Sequence, residues 1–289
     1  MDDIKVAAVC MNARPMRVEE NLDRIHSFVR EASGEGADII CFPELCVTGY
    51  TLKNPGDIYA HGPDSDQAIA RLVRMSRQTG LIILAGLTEN SGQGHPFISH
   101  VIAGPDGLIG IYRKTHLSPH ERSIYRAGEK IEIYPYKKTL FGIQLCYEAH
   151  FPEISTVMAI MGADIIFLPH ASPRGDAGEK LKSWLRHLTA RAFDNGVFLV
   201  ACNQVGDTEG GLSFPGVAVV LGPDGQVLAK QAGDKETIIY SSLEAKMLEE
   251  IRRHRMKYFI PRRRPELYGK IIQEGQAPMN NKRHTGPVY

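Results

Sequence analysis

Three segments of this chain occur twice, in the same order, and this internal repeat limits the possible folds more than any other feature of the sequence. The pairs are a Gly-Ala-Asp-Ile-Ile segment at 36–43 and 162–169, an apolar run at 79–85 and 195–201, and a Gly-Pro-Asp-Gly turn at 104–107 and 222–225. Solenoid repeats recur every 20–50 residues or so, and these segments are much further apart. The chain is therefore read as one folding unit that is used twice.

Each unit has the pattern strand, helix, strand, helix, strand and hairpin. Short apolar runs predict buried strands. Apolar residues at helical spacing predict helices over about 18–32, 66–78 and 177–194. A unit of this kind supplies one sheet with two helices on one face. Two such sheets packed face to face bury every apolar surface, so the sequence predicts an α/β fold, a four-layer α-β-β-α sandwich.

The bulk composition excludes several classes of protein. The 289 residues are 43% hydrophobic and 23% charged, with a net charge of +1, so neither nucleic acid nor membrane is an expected partner. No apolar run approaches the roughly 20 residues of a membrane-spanning helix. The polar start leads directly into a strand, which does not resemble a signal peptide. Five irregularly spaced cysteines do not form a disulfide framework. We expect a cytoplasmic protein with free thiols.

The pattern of regular elements stops near residue 254. A Ser-x-x-Glu capping box at Ser241 predicts a last short helix before that point. The remaining residues contain four prolines and a basic run at 262–264, interleaved with aromatic residues. We interpret the chain as one domain, residues 1–289, with a body over about 1–253 and an extended arm over about 254–289. The apolar content of the arm predicts that it packs against the body or a second subunit.

Three side chains that could take part in a reaction lie where predicted strands end. They are Glu44, Lys114 and Cys146. Open α/β sheets gather ligand-contacting groups at such positions. Cys146 follows the apolar run 140–145, and Pro152 fits the first turn of the next helix. A thiolate is expected to be stabilised there, although a cysteine in such a place is often only a packed core residue.

The chemistry of these residue types is complementary. A cysteine nucleophile requires a base that accepts its proton and a positive charge that stabilises the oxyanion. A glutamate in a dry pocket has a raised pKa and can both accept and release a proton near neutral pH. The backbone N–H of Tyr147, next to the nucleophile, is a candidate second oxyanion donor. The alternative without a catalytic role is that Glu44 and Lys114 form a structural ion pair.

Around these residues the chain resembles a known family. The segments Phe-Pro-Glu at 42–44, Tyr-Arg-Lys-Thr-His-Leu at 112–117 and Leu-Cys-Tyr-Glu-x-x-Phe-Pro-Glu at 145–153 are similar, in this order, to the three signatures of the nitrilase superfamily of carbon–nitrogen hydrolases. The resemblance implies Glu44 as general base, Lys114 as stabiliser of the tetrahedral intermediate and Cys146 as nucleophile. Glu121 stands where many members have a second active-site glutamate.

Other candidates carry weaker signals. His170 occupies the position in the second unit that is equivalent to Glu44, and Arg174 follows in the same loop. Either could contact the substrate or be a solvated loop residue. His116 and His120 have metal-like spacing but lack a third ligand, so we expect no metal and no cofactor. The other four cysteines are expected to be packed thiols.

The resemblance implies an amidase that hydrolyses a small linear amide to an acid and ammonia through a thioester. The signature around Cys146 is more similar to amidases and carbamoyl hydrolases than to true nitrilases. The alternatives are an N-carbamoyl amine or amino-acid amidohydrolase, a nitrilase and a catalytically silent binding protein. The family also implies association through the sandwich face and the C-terminal segment, so we expect a homodimer or a higher homo-oligomer.

Overall fold

The structure of the chain, a computed structural model, describes residues 1–51, 65–92, 94–208 and 211–273. Its strands are β1 (Ile4–Cys10), β2 (Ile39–Cys41), β3 (Ile82–Glu89), β4 (Phe97–Gly104), β5 (Gly107–Arg113), β6 (Ile133–Tyr136), β7 (Thr139–Ile143), β8 (Ile165–His170), β9 (Phe198–Asn203), β10 (Gly206–Asp207), β11 (Ser213–Phe214), β12 (Gly216–Leu221), β13 (Val227–Gly233) and β14 (Thr237–Leu243). Its α-helices are α1 (Val18–Gly34), α2 (Ser65–Thr79), α3 (Pro152–Ile160), α4 (Ala177–Asn195), α5 (Ala245–Arg253) and α6 (Gly269–Gln273).

The strands form two six-stranded mixed sheets and one short hairpin. The first sheet has the order β14-β1-β2-β3-β4-β5, and the second has the order β13-β12-β9-β8-β7-β6. In the first sheet β1, β2 and β3 are parallel, as are β7, β8 and β9 in the second. The two sheets therefore repeat one topology, which confirms the duplicated α/β architecture predicted from the sequence.

One strand of each repeat is exchanged between the two sheets. Strand β6 follows the first unit in the chain but pairs antiparallel with β7 in the second sheet. Strand β14 follows the second unit but pairs antiparallel with β1 in the first sheet, with Ile4 opposite Leu243. Neither half of the chain therefore contains all six strands of its own sheet.

Alternation along the strands divides the apolar side chains into layers. In β1, Val6, Ala8 and Cys10 belong to the core that includes the second sheet, whereas Ala7 and Val9 belong to the core beneath α1 and α2. Successive side chains on a strand point to opposite faces, so the first sheet is covered on both. Helices α3 and α4 cover the outside of the second sheet through residues such as Met158 and Trp184. The four-layer sandwich is confirmed.

One local prediction is wrong. Ser241 does not cap a helix, because it lies within β14 and pairs with Val6 of β1. The following helix, α5, begins at Ala245, and Glu244 is its N-cap residue without a side-chain capping hydrogen bond. Strand pairing thus overrides a local capping signal.

The arm is not a uniformly extended segment in the part that the structure describes. It contains 3-10 turns at Ile260–Arg262 and Pro265–Leu267 and then α6. The ring of Phe259 packs against that of Phe193 in α4, with 5.7 Å between ring centroids. Ile260 packs against the core that includes the second sheet. The first half of the arm therefore lies on the body, while residues 274–289 of the predicted arm lie outside the described residues.

Two further features bear on the class of protein. Within the described ranges, no helix is both long enough and apolar enough to cross a membrane. All five cysteines are free thiols, and four of them are buried: Cys10, Cys41, Cys46 and Cys202. These four pack in the interior, as the sequence predicted.

Candidate active site

Glu44 reaches the site from a turn that follows β2. The backbone N–H of Phe42 donates to the carbonyl oxygen of Leu84 in β3, which continues the strand pairing almost to the glutamate. A Cβ atom on Gly86 would lie 2.4 Å from the backbone nitrogen of Leu45, so only glycine lets β3 approach the turn this closely. Gln204 also donates to the carbonyl oxygen of Glu44, at 2.9 Å. The backbone of Glu44 is thus held by neighbours from both sheets.

Lys114 lies between two buried carboxylates. Its Nζ atom is 2.8 Å from Oε1 of Glu44 and 2.9 Å from Oε1 of Glu121. The side chains of all three residues are almost fully inaccessible to water. Such a lysine cannot change position without leaving a buried carboxylate unpaired, so its charge is fixed in space.

The loop after Lys114 returns Glu121 to the lysine. The carboxylate of Glu121 accepts a hydrogen bond from the backbone N–H of Ser118 at 2.7 Å and one from the hydroxyl of Tyr50 at 3.4 Å. Together with the hydrogen bond from Lys114, these contacts hold the carboxylate of Glu121 in place. The structure therefore brings Glu44, Lys114 and Glu121 together, and their roles in catalysis stay a prediction.

Cys146 lies a short step after the second-sheet strand β7, which ends at Ile143, and starts a 3-10 helix, Cys146–His150. Its φ angle is +43°, in the left-handed region that residues with a side chain rarely adopt. Backbone strain of this kind costs about 1–3 kcal/mol and concentrates at functional sites. Cys146 is also the one partly exposed thiol among the five cysteines. The turn therefore presents this thiol to the site.

The expected stabilisation of the Cys146 thiolate is wrong for the free enzyme. Burial raises the pKa of Cys146, and the negative charges of Glu44 and Glu121 raise it further. Lys114 and the backbone N–H of Ala171 lower this pKa but do not compensate. The resting residue is therefore a neutral thiol, which requires a base before it can act as a nucleophile.

The pKa values of the charged pair suit that requirement. Burial raises the pKa of Glu44 to about 7, although the positive charge of Lys114 opposes the shift. Burial would lower the pKa of Lys114, but the attraction of Glu44 and Glu121 raises it well above its usual value. Near neutral pH, Lys114 is thus always charged, and Glu44 can both accept and release a proton.

Ala171 connects the base with the thiol. Its backbone N–H, just after β8, donates to Oε2 of Glu44 at 3.1 Å. The same N–H lowers the pKa of Cys146, so it lies close to both side chains. Glu44 belongs to the first sheet, whereas Ala171 and Cys146 belong to the second. The site is accordingly built across the interface between the two repeated halves.

Glu148 is a positioning residue that the sequence analysis did not identify. It is fully buried and accepts hydrogen bonds from the hydroxyl of Tyr112, the backbone N–H groups of Thr115 and Leu145, and the hydroxyl of Thr115. Tyr112 and Thr115 flank Lys114, and Leu145 precedes Cys146. One carboxylate therefore ties the segment of the lysine to the segment of the nucleophile. The sequence signal that could have indicated Glu148 is its position two residues after a cysteine at the end of a strand.

We expect Glu148→Gln to lower kcat by about tenfold or more, because small displacements of reacting groups are costly. The amide nitrogen cannot accept these hydrogen bonds, so the free energy of unfolding should fall by about 1–3 kcal/mol. Steady-state kinetics and thermal unfolding measure the two effects. Glu153→Gln, at an exposed glutamate in α3, is the control. A Glu148 variant with full kcat would show that this network has no part in positioning.

The remaining predicted site residues, Tyr147, His170 and Arg174, have no hydrogen bond to Glu44, Lys114 or Glu121 in the described part of the chain. The ring of Tyr147 packs against those of His150 and Phe151, and its backbone N–H is near the start of the 3-10 helix, where such groups lack intrahelical partners. His170 is buried, and its ring packs on Trp184 with centroids 4.2 Å apart. Burial lowers the pKa of His170 to about 3, so it is neutral. Arg174 is exposed on the same loop. Contact of these residues with a substrate stays a prediction.

The α/β sandwich agrees with comparisons to known proteins. The profile of the carbon–nitrogen hydrolase family matches residues 5–253. The chain therefore belongs to this family, and it is a hydrolase of the nitrilase superfamily.

Individual relatives match over nearly their whole length. A nitrilase of Pyrococcus abyssi is 28% identical, over 92% of this chain and 99% of the relative. An N-carbamoylputrescine amidase of Arabidopsis thaliana is 28% identical, over 88% of this chain and 91% of the relative. The crystal structure of an amidase from Nesterenkonia sp. is 28% identical, with a TM-score of 0.79, over 93% of this chain and 96% of that one. Related structures of the Nesterenkonia enzyme contain butyramide, or acrylamide added to the active-site cysteine.

Proposed function

We propose that this protein is an amidase that hydrolyses small linear amides to the acid and ammonia through a thioester on Cys146. The observation that supports this most strongly is the placement of Lys114 between Glu44 and Glu121, next to a neutral cysteine thiol on a strained turn. A binding protein that merely kept the fold would have no need for a buried charge cluster, since such clusters cost stability.

The first half of the reaction uses Glu44 as a base and then as an acid. Glu44 accepts the thiol proton while the sulfur of Cys146 forms a bond to the amide carbon. Lys114 and the backbone N–H of Tyr147 stabilise the resulting oxyanion. Glu44 then donates its proton to the amide nitrogen, the C–N bond breaks, and ammonia leaves. Its pKa near 7 suits both directions of transfer.

The second half repeats the same roles with water. Glu44 accepts a proton from a water molecule that attacks the thioester carbonyl, and the same two donors stabilise the second oxyanion. The C–S bond breaks, the acid is released, and the proton returns to the sulfur. Glu121 accepts hydrogen bonds from Lys114, Ser118 and Tyr50, so in this mechanism it holds the lysine in place.

The relatives suggest the first substrates to test. The Nesterenkonia amidase has been crystallised with butyramide, and acrylamide adds to its active-site cysteine. Short aliphatic amides are therefore the first class, and N-carbamoyl compounds are the second because several relatives are N-carbamoylputrescine amidases. Nitriles are third, from the Pyrococcus relative.

A panel of short amides, N-carbamoyl amines, N-carbamoyl amino acids and nitriles, assayed by ammonia release, tests the proposal. We expect the highest kcat/KM with an amide. Carbon dioxide released together with ammonia would identify a carbamoyl hydrolase instead. Rapid quenching followed by intact-mass measurement should detect one acyl group on the protein. The absence of turnover across the whole panel would contradict the proposed function.

We also propose that the enzyme acts in the cytoplasm as a homodimer. Its five thiols are unpaired, which suits a reducing compartment.

The surface that supports a dimer lies outside the second sheet. Helices α3 and α4 and the 3-10 turn Ile260–Arg262 of the arm pack on one another. They and the residues that flank them expose a set of large apolar side chains on this side of the second sheet: Val157, Ile160, Met161, Phe193 and Phe259. An apolar surface of this kind is normally covered by association, most often with two-fold symmetry.

We expect the full chain to sediment as a dimer and Ile160→Lys to shift it toward the monomer, because the charge would be placed in the apolar surface. Leu108→Lys, at an exposed leucine of β5, is the control. Analytical ultracentrifugation at micromolar concentration measures both. A chain ending at Arg253 separates the contribution of the arm. A monomeric full chain would refute the dimer, and a dimer unaffected by truncation would refute only the role of the arm.

A further inference from the structure

Lys180 is a buried lysine beside the active site that the proposed mechanism does not use. It lies in the first turn of α4 and is only 8% exposed. Trp184, one helical turn later, stacks on His170 at the end of β8. Residues four apart share a helix face. Lys180 therefore faces the same end of the second sheet as the catalytic cysteine, and α4 also packs against the 3-10 helix that begins at Cys146.

The contacts of Lys180 lead to the backbone that holds the general base. Its Nζ atom donates to the hydroxyl oxygen of Ser172 at 2.6 Å. The backbone N–H of Ser172 donates to the side chain of Asn203 at 2.9 Å, and that side chain donates back to the carbonyl of Ser172. Ser172 directly follows Ala171, which donates to Glu44. The ammonium group is thus fixed within the loop that borders the site.

This ammonium group has no counter-charge in the described part of the chain. It carries three N–H donors, and only the hydrogen bond to Ser172 is formed there. The nearby carboxylates of Glu44 and Glu121 both pair with Lys114. Burial lowers the pKa of Lys180, whereas the nearby Cys146 raises it and Arg174 lowers it, so Lys180 lies within electrostatic reach of Cys146. A buried, unpaired cation is costly unless a ligand supplies the missing negative charge.

We infer that Lys180 binds an anionic group of the substrate, so that the preferred substrates are linear amides that carry a carboxylate at the other end. The inference rests on the proposed amidase function. Lys180 would be a specificity residue that touches the substrate away from the reacting carbon. A substrate with an amine in that position would place two positive charges together, which opposes binding. The site should therefore reject cationic compounds such as N-carbamoylputrescine.

Three amides that share one –CH2CH2–CONH2 core test this inference: succinamate is anionic, butyramide is neutral and β-alaninamide is cationic. We expect kcat/KM of the wild type to fall in that order. Lys180→Met should reduce the ratio of succinamate to butyramide by about 10- to 100-fold, the range for a lost hydrogen bond to a charged group. Lys180→Arg should retain most of the preference. Lys182→Met removes an exposed charge two residues away and should leave the ratio unchanged.

Calorimetric binding to Cys146→Ala separates the failure of this inference from the failure of the proposed function. If the wild type hydrolyses none of the three amides, the amidase proposal fails, while the binding order still tests Lys180. Tighter binding of succinamate that disappears in the Cys146→Ala, Lys180→Met double variant supports the inference. Equal or weaker binding of succinamate than of butyramide overturns it. If Lys180→Met does not fold, the inference is tested by two other results. These are the order of kcat/KM for the three amides in the wild type and the ratio of succinamate to butyramide in Lys180→Arg.

Discussion

Cys146→Ala should reduce amide hydrolysis to the background rate while the protein stays folded. The substitution removes the sulfur that forms the proposed thioester, and no other described thiol can replace it, because the four remaining cysteines are buried in the core. Cys146→Ser should retain at most a trace, since a serine hydroxyl is a much weaker nucleophile at neutral pH. Ammonia release measures turnover, and circular dichroism with thermal unfolding checks the fold.

Cys10→Ala is the matched control, because it also removes one thiol but from the interior of β1. It should keep its kcat and lose only a modest amount of stability. Alkylation provides a second measurement. One equivalent of iodoacetamide should modify Cys146, the partly exposed thiol, and abolish turnover in proportion. Complete inactivation with the label on Cys10 or Cys202 and none on Cys146 would assign the nucleophile elsewhere.

Lys114→Met should lower kcat by about 10²–10³, the usual cost of one lost oxyanion donor. Methionine keeps the length of the side chain and removes its charge. Two buried carboxylates then lose their partner, so the pKa of Glu44 should rise further above 7 and a larger part of the base should be protonated at neutral pH. The activity that remains should therefore require a higher pH than that of the wild type.

Stability must be measured in the same variant, because breaking a buried ion pair costs about 3–5 kcal/mol. A folded Lys114→Met protein with near-normal turnover would return the lysine to a purely structural role. Lys130→Met removes an exposed charge from the same connection between β5 and β6 and is the control for net charge. Its kcat and pH profile should match those of the wild type.

The sequence contained enough information to predict the architecture and the central residues of the site. Internal repetition does not depend on long-range contacts, so the two sheets could be predicted from the pairs of matching segments. Glu44, Lys114 and Cys146 follow apolar runs, and the ends of strands lie at the edge of a sheet whatever the details of packing. The pairing of Lys114 with Glu44 follows from the same placement, whereas Glu121 lies in a loop and was indicated only by the family resemblance.

The remaining features depend on contacts between distant segments. The role of Glu148 arises because Tyr112 of the first sheet reaches it across the sandwich. Lys180 occupies the apolar face of α4 with Trp184, where helical periodicity gave no reason to expect a charge. The pKa of Cys146 is raised by burial, which overcomes the local chain geometry that favours a thiolate. The local sequence at Ser241 predicts a helix cap, because strand exchange leaves no mark in the local sequence.

The exchange of β6 and β14 also determines when the protein can fold during its synthesis. Strand β1 leaves the ribosome more than 200 residues before its antiparallel neighbour β14 is made, as the pairing of Ile4 with Leu243 shows. Synthesis at about 5–20 residues per second leaves one side of β1 unpaired for about ten seconds or longer. An unpaired strand edge is a site for association with other chains. The nascent chain therefore carries an open strand edge until β14 is made, and the candidate site, which draws on both sheets, cannot form before Ala171 has left the ribosome.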